Sequence, residues 1–164
     1  MFDFLKKTKE ETIYSPIIGK SILLDEVPDK VFAQKMVGEG VGLVFDNDTI
    51  YSPCDGKVIM IASTKHAIGI KSPKGNEILV HIGLETVAFE GEGFEVFVKE
   101  GETVKAHQKI MTLDVEFFKK NNVNLISALV VTNTKVDDVK PSNPDVVDLN
   151  SVICTIKKGD NNYE

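Results

Sequence analysis

Two histidines lie in apolar segments that are separated by a single turn signal. His66 begins HAIGIK at 66–71, His81 lies in EILVHIG at 77–83, and the intervening SPKGN is typical of a hairpin turn. A four-residue loop places His66 directly opposite His81, where the Cβ atoms of a pair are about 4.5–5.5 Å apart. A two-residue loop at 74–75 instead places His66 opposite Gly83 and leaves His81 as a diagonal neighbour. Both registers bring two imidazoles within reach of one small ligand.

Paired imidazoles suit two kinds of chemistry. They can ligate zinc, which usually takes a third protein ligand. Alternatively, one ring accepts a phosphoryl group while the other donates a hydrogen bond to the phosphoryl oxygens. Alternation along the second segment puts His81 on the face opposite its Ile and Val side chains. Thr64 shares the parity of His66 and could hold a ring nitrogen or an oxyanion, whereas His107 lies in the polar stretch KAHQK and is predicted to be exposed.

Strand patterns dominate the rest of the chain and predict an all-β fold, an antiparallel β-sandwich with one or two short helices. The helices are predicted in KVFAQKM, after Asp29, and in VEFFKKN, where Asp114 is a suitable N-cap. The stretch KPSNPDV at 140–146 is predicted to be a loop, because two prolines exclude a central strand. The predicted strands cover residues 41–45, 56–62, 66–71, 77–83, 94–98, 109–113, 127–133 and 151–156.

Composition favours a cytoplasmic, single-domain protein of 164 residues. The formal net charge of −6 makes nucleic acid an unfavourable partner, and every basic residue except histidine is Lys, so no Arg is available to clamp a phosphate. Cys54 and Cys154 follow no signal peptide and are expected to be reduced thiols. No apolar stretch is long enough to span a membrane, and the N-terminal MFDFLKKTK, with Phe2 and Leu5 on one helical face, allows at most peripheral membrane contact.

Several motifs together resemble one protein family. They are VPDKVFAQKMVGEGVGL, SPCDGKV, TKHAIGI, ILVHIGLETV, GEGFEVFVKEGETVKAHQKI and VVTN, which occur in order between residues 12 and 157. This set resembles the glucose-type IIA component of the bacterial phosphoenolpyruvate-dependent sugar phosphotransferase system. The resemblance implies a free-standing β-sandwich domain at 12–157, preceded by a flexible segment at 1–11 and followed by a polar tail at 158–164.

The resemblance also implies a phosphotransferase role for the histidine pair. His81 would accept a phosphoryl group on Nε2 from the phosphocarrier protein HPr and pass it to a cysteine of a sugar-specific IIB domain of the IIB/IIC permease. His66 would support the phosphoryl oxygens and be needed for onward transfer, with Thr64 as a hydrogen-bonding partner. The carbonyl of Gly83 would hold the other nitrogen of His81.

A partner-binding rim around the pair is implied in the same way. No cofactor is required by the resemblance, although some relatives share zinc between the two histidines and a partner carboxylate, so zinc could bind at His66 and His81. Unphosphorylated relatives in some bacteria bind transporters or kinases, which implies a regulatory role here as well. The sugar is set by the membrane component. The rim residues carried over are Asp29, Val31, Phe32, Met36, Val37, Ile68, Leu79, Glu85 and Val87.

Two other classes share parts of these patterns. Zinc hydrolases of the lysostaphin type also combine β-sandwich corners with histidine ligands, but no H-x-H pair occurs here and His107 is the remaining histidine. Biotinyl or lipoyl carrier domains resemble VKEGETVKAHQKI, yet the modified lysine of that class stands in settings such as M-K-M or D-K-A, which are absent. Stoichiometric zinc with peptidoglycan cleavage would favour the hydrolase.

Overall fold

The computed structural model describes residues 10–158, and these form fourteen strands and two short helices. The predicted N-terminal segment and polar tail therefore lie almost entirely outside the described residues. No helix of the described part is long and apolar enough to cross a membrane. The helices are α1 (Lys30–Ala33) and α2 (Val115–Lys120), and the strands are β1 (Glu10–Tyr14), β2 (Gly19–Leu23), β3 (Glu39–Phe45), β4 (Thr49–Tyr51), β5 (Gly56–Ile61), β6 (Ala67–Lys71), β7 (Glu77–His81), β8 (Phe94–Val96), β9 (Thr103–Val104), β10 (Lys109–Leu113), β11 (Ser127–Val131), β12 (Val139–Pro141), β13 (Val146–Val147) and β14 (Val152–Lys157).

The strands form one large and two small antiparallel sheets, which confirms the predicted all-β fold. The large sheet has the order β13-β2-β3-β11-β7-β6-β5-β9, and the small sheets have the orders β1-β14-β12 and β4-β10-β8. The main core lies on the inner face of the large sheet, where Ile68, Ile78, Val80 and Leu129 are among its fully buried members. Burial of such aliphatic side chains supplies most of the stabilisation of a fold of this size.

A second, smaller core covers part of the outer face of the large sheet. Here Phe32 of α1 packs with Leu24 and Val27 against Ala128 and Val130 of β11. The side chain of Asp29 accepts a hydrogen bond from the backbone N–H of Val31 and so caps α1. The small core therefore fixes α1 beside the end of β7, where His81 lies.

The large sheet is built from two similar halves. Tyr14 and Pro16 precede β2 in the stretch YSPIIGK, and Tyr51 and Pro53 precede β5 in YSPCDGK. The two stretches bond reciprocally: Tyr14 N donates to Pro53 O at 2.9 Å, and Tyr51 N donates to Pro16 O at 2.8 Å. The strand order is also symmetric about the β11–β7 pair, because each half continues through two longer strands to a two-residue edge strand. The repeated sequence motif thus marks equivalent corners of the two halves.

Two local predictions need correction, those for α1 and for the loop at 140–146, and the predicted start of α2 is confirmed. α1 ends at Ala33, well before the predicted Met36, and Lys35 adopts a left-handed conformation with φ 58° that a helix cannot continue through. α2 begins as predicted, with the carboxylate of Asp114 accepting from Phe117 N at 3.0 Å. The predicted loop at 140–146 is wrong at its ends, because Val146 begins β13 and Pro141 closes β12. That strand lies at the edge of its sheet, where proline is tolerated.

Candidate functional site

His81 is the last residue of β7 and stands between two alanines of the neighbouring strands. It pairs in register with Ala67 of β6 and with Ala128 of β11. Because both flanking side chains are single methyl groups, the imidazole has room on the outer face of the sheet. Phe32 of α1 packs against the ring, with centroids 4.9 Å apart. These contacts leave His81 half-buried and hold it in one place.

The register of the β6–β7 hairpin differs from both predicted registers. The loop holds three residues, 73–75, and ends in Gly75, whose φ of 87° lies in the left-handed region. Ala67 is therefore opposite His81, and the predicted direct opposition of His66 and His81 is wrong. The sequence stretch SPKGN is compatible with loops of two, three and four residues, so counting alone could not choose among them.

The two imidazoles nevertheless lie side by side, as predicted. Their ring centroids are 5.0 Å apart, with an interplanar angle of 76°. Strict alternation would send His66 into the core with Ile68, but His66 precedes β6 and follows Lys65, whose φ of 62° turns the chain. The carbonyl of His66 accepts from Ile82 N at 2.7 Å, which ties the turn to the end of β7. The pair is thus assembled by a break in strand geometry.

Thr64 is the hydrogen-bonding partner of His66. Its Oγ1 lies 2.6 Å from Nδ1 of His66, across the turn at Lys65. When Nδ1 is engaged by a hydroxyl, Nε2 is the nitrogen left for another interaction. The structure therefore places Thr64, His66 and His81 in one continuous row.

Burial keeps both rings neutral at physiological pH. The pKa of His81 is lowered from 6.5 to about 4, chiefly by burial and then by the neighbouring His66, against a smaller raising effect of the Asp29 carboxylate. The pKa of His66 is also lowered, by burial. A neutral imidazole has a lone pair on one nitrogen, which is the form that a nucleophile or a metal ligand requires.

The inner nitrogen of His81 is an exception to the usual pairing of buried polar atoms. Its Nδ1 is shut off from solvent and has no hydrogen-bond partner of good geometry among the described residues. The Gly83 carbonyl, which was predicted to hold this nitrogen, makes no hydrogen bond of ordinary geometry with it, and the backbone of Gly83 makes only a minor contribution that raises the pKa of the ring. Gly83 adopts φ 71°, and its N–H donates to Ser127 Oγ at 2.9 Å, so the chain turns sharply behind the ring. Nε2 is the nitrogen of His81 that remains accessible.

The predicted rim is only partly on the surface. Val31, Met36 and Val87 are 43%, 69% and 52% exposed, and Glu85 is exposed as well. Asp29, Val37 and Leu79 are half-buried. Two members are wrong as surface residues, because Phe32 is 5% exposed and Ile68 is 1% exposed.

Phe32 and Ile68, which were predicted to be on the surface, are buried for different reasons. Phe32 fills the small core and contacts His81 from behind, so it positions the ring. Ile68 points into the main core on the other face of the sheet. Sequence reasoning also missed the two alanines beside His81 and the exposed pair Ile59 and Met60 on β5. Nothing in the sequence marks the alanines. The unbroken apolar run VIMI at 58–61, in contrast, puts apolar side chains on both faces of a strand, so it indicated that one face of apolar residues could be exposed.

A metal site is not completed by the histidine pair. Within residues 10–158, no group of three or more His, Cys, Asp or Glu side chains is placed to hold a metal ion. His107 is exposed, as predicted, and its ring lies 5.1 Å from that of Tyr14. The pair alone would offer zinc two ligands, fewer than the three protein ligands usual in catalytic sites.

The chain is similar to known proteins of one family. Residues 11–136 match the family described as phosphoenolpyruvate-dependent sugar phosphotransferase system, EIIA 1. The chain is 46% identical over 134 residues to the "PTS system glucose-specific EIIA component" of Bacillus cereus, covering 82% of this chain and 81% of that protein. It is 45% identical over 136 residues to the protein of the same name from Oceanobacillus iheyensis, with 82% of each chain covered.

Two further comparisons extend this similarity. The chain is 40% identical over 136 residues to the "PTS system glucosamine-specific EIICBA component" of Bacillus subtilis, where the match covers 83% of this chain and 22% of the larger protein. The solved structure of glucose permease IIA from Mycoplasma capricolum has the same fold, with a TM-score of 0.82 and 34% sequence identity, covering 90% of this chain and 96% of that one.

Proposed function

The chain belongs to the EIIA 1 family of the phosphoenolpyruvate-dependent sugar phosphotransferase system and is a phosphoryl carrier of that system, and we propose that Nε2 of His81 carries the phosphoryl group. In this proposal the donor is the phosphocarrier HPr, and the acceptor is a cysteine of a IIB domain in a glucose-type IIB/IIC permease. Fusion of the matching region to IIC and IIB segments in relatives supports the choice of acceptor. The protein acts in the cytoplasm, in keeping with its buried free thiols.

The observation that supports His81 most directly is the state of its two nitrogens. Nδ1 is closed off and Nε2 is accessible, while the low pKa keeps a lone pair available for attack. The lone pair of Nε2 attacks the phosphorus atom, so that a new N–P bond forms as the donor's N–P bond breaks. Return of the group follows the same path, with the cysteine thiolate of the acceptor attacking phosphorus and Nε2 as the leaving group. Such transfers need mainly in-line placement and stabilisation of charge on the phosphoryl oxygens.

His66 is proposed to supply part of that stabilisation. If the hydroxyl of Thr64 donates to Nδ1 at 2.6 Å, the proton of the neutral ring is on Nε2. An N–H on the ring beside His81 can donate to a phosphoryl oxygen, and it does so without adding a positive charge that would resist release of the group. Thr64 then acts as a positioning residue through His66.

The surface around the pair is proposed to dock both partners. Exposed apolar side chains exclude water from the transferred group, and Val31, Met36 and Val87 provide them on the helix side. The carboxylates of Asp29 and Glu85 lie beside this patch and would attract basic groups of the donor, which speeds encounter more than it raises affinity. Transient contacts of this kind sit at the small end of interface sizes.

The decisive experiment is phosphorylation with phosphoenolpyruvate, enzyme I and HPr, followed by transfer to a IIB domain. The wild type is expected to take up one acid-labile phosphate. His81→Ala should take up none, whereas His66→Gln and Thr64→Val should accept phosphate and then transfer it slowly, with Thr64→Val the milder of the two. His107→Ala is the matched control and should behave as the wild type.

Two results would contradict this assignment. Retained labelling of His81→Ala would place the acceptor at another residue, and unimpaired onward transfer by His66→Gln would remove its proposed role.

The relay is proposed to need no cofactor. Zinc at His66 and His81 is the remaining metal proposal, and it would require a further ligand from a partner or from water. Metal analysis of the purified protein, with and without His66→Gln, tests it: bound zinc that is unaffected by the substitution would place the metal elsewhere. The names of the relatives support neither regulatory binding of other proteins nor zinc-dependent hydrolysis.

A further inference from the structure

Two buried hydroxyl groups hold the turn that follows His81. Ser127 Oγ of β11 accepts a hydrogen bond from Gly83 N at 2.9 Å, and Thr86 Oγ1 donates to Ile82 O at 2.6 Å. Both side chains are fully buried. The carbonyl of Ile82 and the N–H of Gly83 belong to one planar peptide group and point in opposite directions. The two hydroxyls therefore hold the same peptide from its two edges.

Both hydroxyls are themselves fixed by further contacts. Ser127 Oγ donates its proton to the carbonyl of Leu125 at 2.9 Å, so a lone pair faces Gly83. The methyl group of Thr86 lies against Gly83, where an added Cβ would lie 2.6 Å from Thr86 Cγ2. A threonine with contacts on both branches of its Cβ is restricted to one χ1 rotamer. The Ile82–Gly83 peptide is thus held by side chains that have little freedom to move.

This peptide is connected to both histidines of the pair. Ile82 N donates to the carbonyl of His66 at 2.7 Å, so the backbone of His66 is tied to it. Gly83 lies two residues after His81, at φ 71°, and its backbone raises the pKa of that ring, as a carbonyl near a ring N–H does. A displacement of the peptide would therefore move the backbone of one histidine and the polar neighbour of the other.

Nδ1 of His81 is the atom for which this placement matters most. It is shut off from solvent and has no hydrogen-bond partner of good geometry among residues 10–158. Leaving a buried ring nitrogen unpaired costs free energy, and only a group that is already close can reduce that cost. The Gly83 carbonyl can do so only when the proton is on Nδ1, because a carbonyl accepts and does not donate. Its position therefore favours the tautomer with the lone pair on Nε2.

The same contact should strengthen as the phosphoryl group arrives. The bond between Nε2 and phosphorus uses the lone pair, so the ring keeps its Nδ1 proton and acquires positive charge. A carbonyl dipole held beside that proton stabilises the charge without the cost of reorganisation. Hydrogen bonds of this kind are often long or poorly aligned in the free protein and tighten during the reaction. Release of the group returns the electron pair to Nε2 and removes the charge.

We propose, on the basis of the phosphoryl-carrier function above, that Ser127 and Thr86 are positioning residues for phosphoryl transfer at His81. They hold the Ile82–Gly83 peptide so that the Gly83 carbonyl lies beside Nδ1 of the reacting ring. Both act through the backbone rather than on the phosphoryl group. Their effect is on the tautomer of the free ring and on the rate at which that ring attacks phosphorus.

The first measurement is the tautomer of His81 at pH 7.5, read from the nitrogen-15 NMR shifts of the two ring nitrogens without any partner protein. In the wild type, the proton is expected on Nδ1. Ser127→Ala and Thr86→Val each remove one hydroxyl and nearly keep the side-chain volume, and each should increase the population with the proton on Nε2. Thr86→Ser keeps the hydroxyl and should retain the wild-type tautomer.

The second measurement is the rate of phosphorylation of His81 over a range of concentrations of the phosphorylated donor. Ser127→Ala and Thr86→Val should lower the maximal rate about 5–10-fold, the change expected when one hydrogen bond of typical net strength is lost. The donor concentration that gives half the maximal rate should stay unchanged, because both side chains are buried and the exposed surface is not altered. Thr86→Ser should keep most of the maximal rate.

Ser52→Ala is the matched control for the loss of a buried hydroxyl. Ser52 is also fully buried, and its Oγ donates to the carbonyl of Cys54 at 2.7 Å in the corner before β5. This substitution should lower stability in urea denaturation about as much as Ser127→Ala does. It should leave both the tautomer of His81 and the maximal rate unchanged.

An unchanged tautomer and maximal rate in Ser127→Ala and Thr86→Val would overturn the inference. So would an equal loss of rate in Ser52→Ala, because the effect would then follow stability alone, or a loss in Thr86→Ser as large as in Thr86→Val. Because the two hydroxyls lie on different elements, a variant that does not fold leaves the other as the test. Failure of the proposed function is distinguished from these results, since it would appear as absence of phosphate at His81 in the wild type.

Discussion

The low pKa of His81 leads to a prediction about the pH dependence of phosphoryl acceptance, and its first step, a titration of the ring, needs no partner protein. An imidazole in water titrates near pH 6.5, whereas His81 is expected to titrate near pH 4 in the folded protein. At pH 5.5 an ordinary ring is about 9% neutral and one with a pKa of 4 is about 97% neutral, which is roughly a 10-fold difference in reactive form. The rate constant of phosphoryl acceptance should therefore be nearly flat between pH 7.5 and pH 5.5.

The measurement is an NMR titration of the two ring nitrogens of His81, followed by labelling at both pH values. Phe32→Ala opens the ring to solvent and should move its pKa upward, so that this variant loses reactive imidazole at pH 5.5. Because that substitution also empties part of the small core, Phe32→Leu serves as the variant that keeps apolar volume. A titration of wild-type His81 near pH 6.5, with a matching fall in rate, would refute the argument from burial.

The lowered pKa of His81 also makes the free energy of unfolding depend on pH, and the direction of that dependence follows from the direction of the shift. The folded pKa lies below the unfolded one, so the unfolded chain binds more protons between pH 6.5 and pH 4. The contribution of His81 to the free energy of unfolding is thus complete above pH 6.5 and is lost as the pH falls through this window. The loss is about 1.4 kcal/mol at pH 5.5. Urea denaturation of the wild type and of His81→Ala, at pH 7.5 and pH 5.5, should differ by about this amount in their pH dependence.

Two further predictions concern the structure behind the site and in the core. Gly83→Ala should lower the free energy of unfolding by about 1–3 kcal/mol more than Gly75→Ala. Both glycines have positive φ, but only at Gly83 would the new Cβ lie 2.6 Å from another side-chain atom, Thr86 Cγ2. Equal losses in urea denaturation would show that backbone conformation alone matters. Burial raises the pKa of the Cys54 and Cys154 thiols to about 12. Neither thiol should therefore react with a thiol reagent at pH 8 until urea unfolds the protein. Fast reaction of the native protein would contradict their burial.

Eight of the fourteen strands of the described residues, and the proximity of the two histidines, could be predicted from the sequence. The hairpin register and the strands β1, β2, β4, β9, β12 and β13 were not predicted. Alternation of apolar residues places strands reliably, since one face of each is buried. The β6–β7 register depends on whether the loop holds two, three or four residues, and the left-handed conformation of Gly75 that decides it is a property of the folded turn. The rings meet in spite of the changed register because Lys65 turns the chain just before β6.

The sequence also could not show which apolar residues of the strands are exposed to solvent. Ile68 and Met60 both lie in apolar strand segments, yet one is in the main core and the other is on the surface. Their difference depends on which side of the sheet each side chain occupies and on what covers that side. α1 covers the outer face at β11, so Phe32 is buried there, whereas Met60 on β5 remains partly exposed.

The two histidines are held in different ways, and the difference matches their proposed roles. His81 belongs to a central strand with partners on both sides, and it is confined by Phe32 and two alanines, so its ring has little freedom to move. His66 lies outside the regular strand and depends on one hydrogen bond from Thr64 for its orientation. An acceptor atom must be fixed for in-line attack by two successive partners, while a supporting ring must follow the phosphoryl oxygens as the group arrives and leaves. A rigid acceptor beside a more adjustable donor of hydrogen bonds satisfies both demands within one short hairpin.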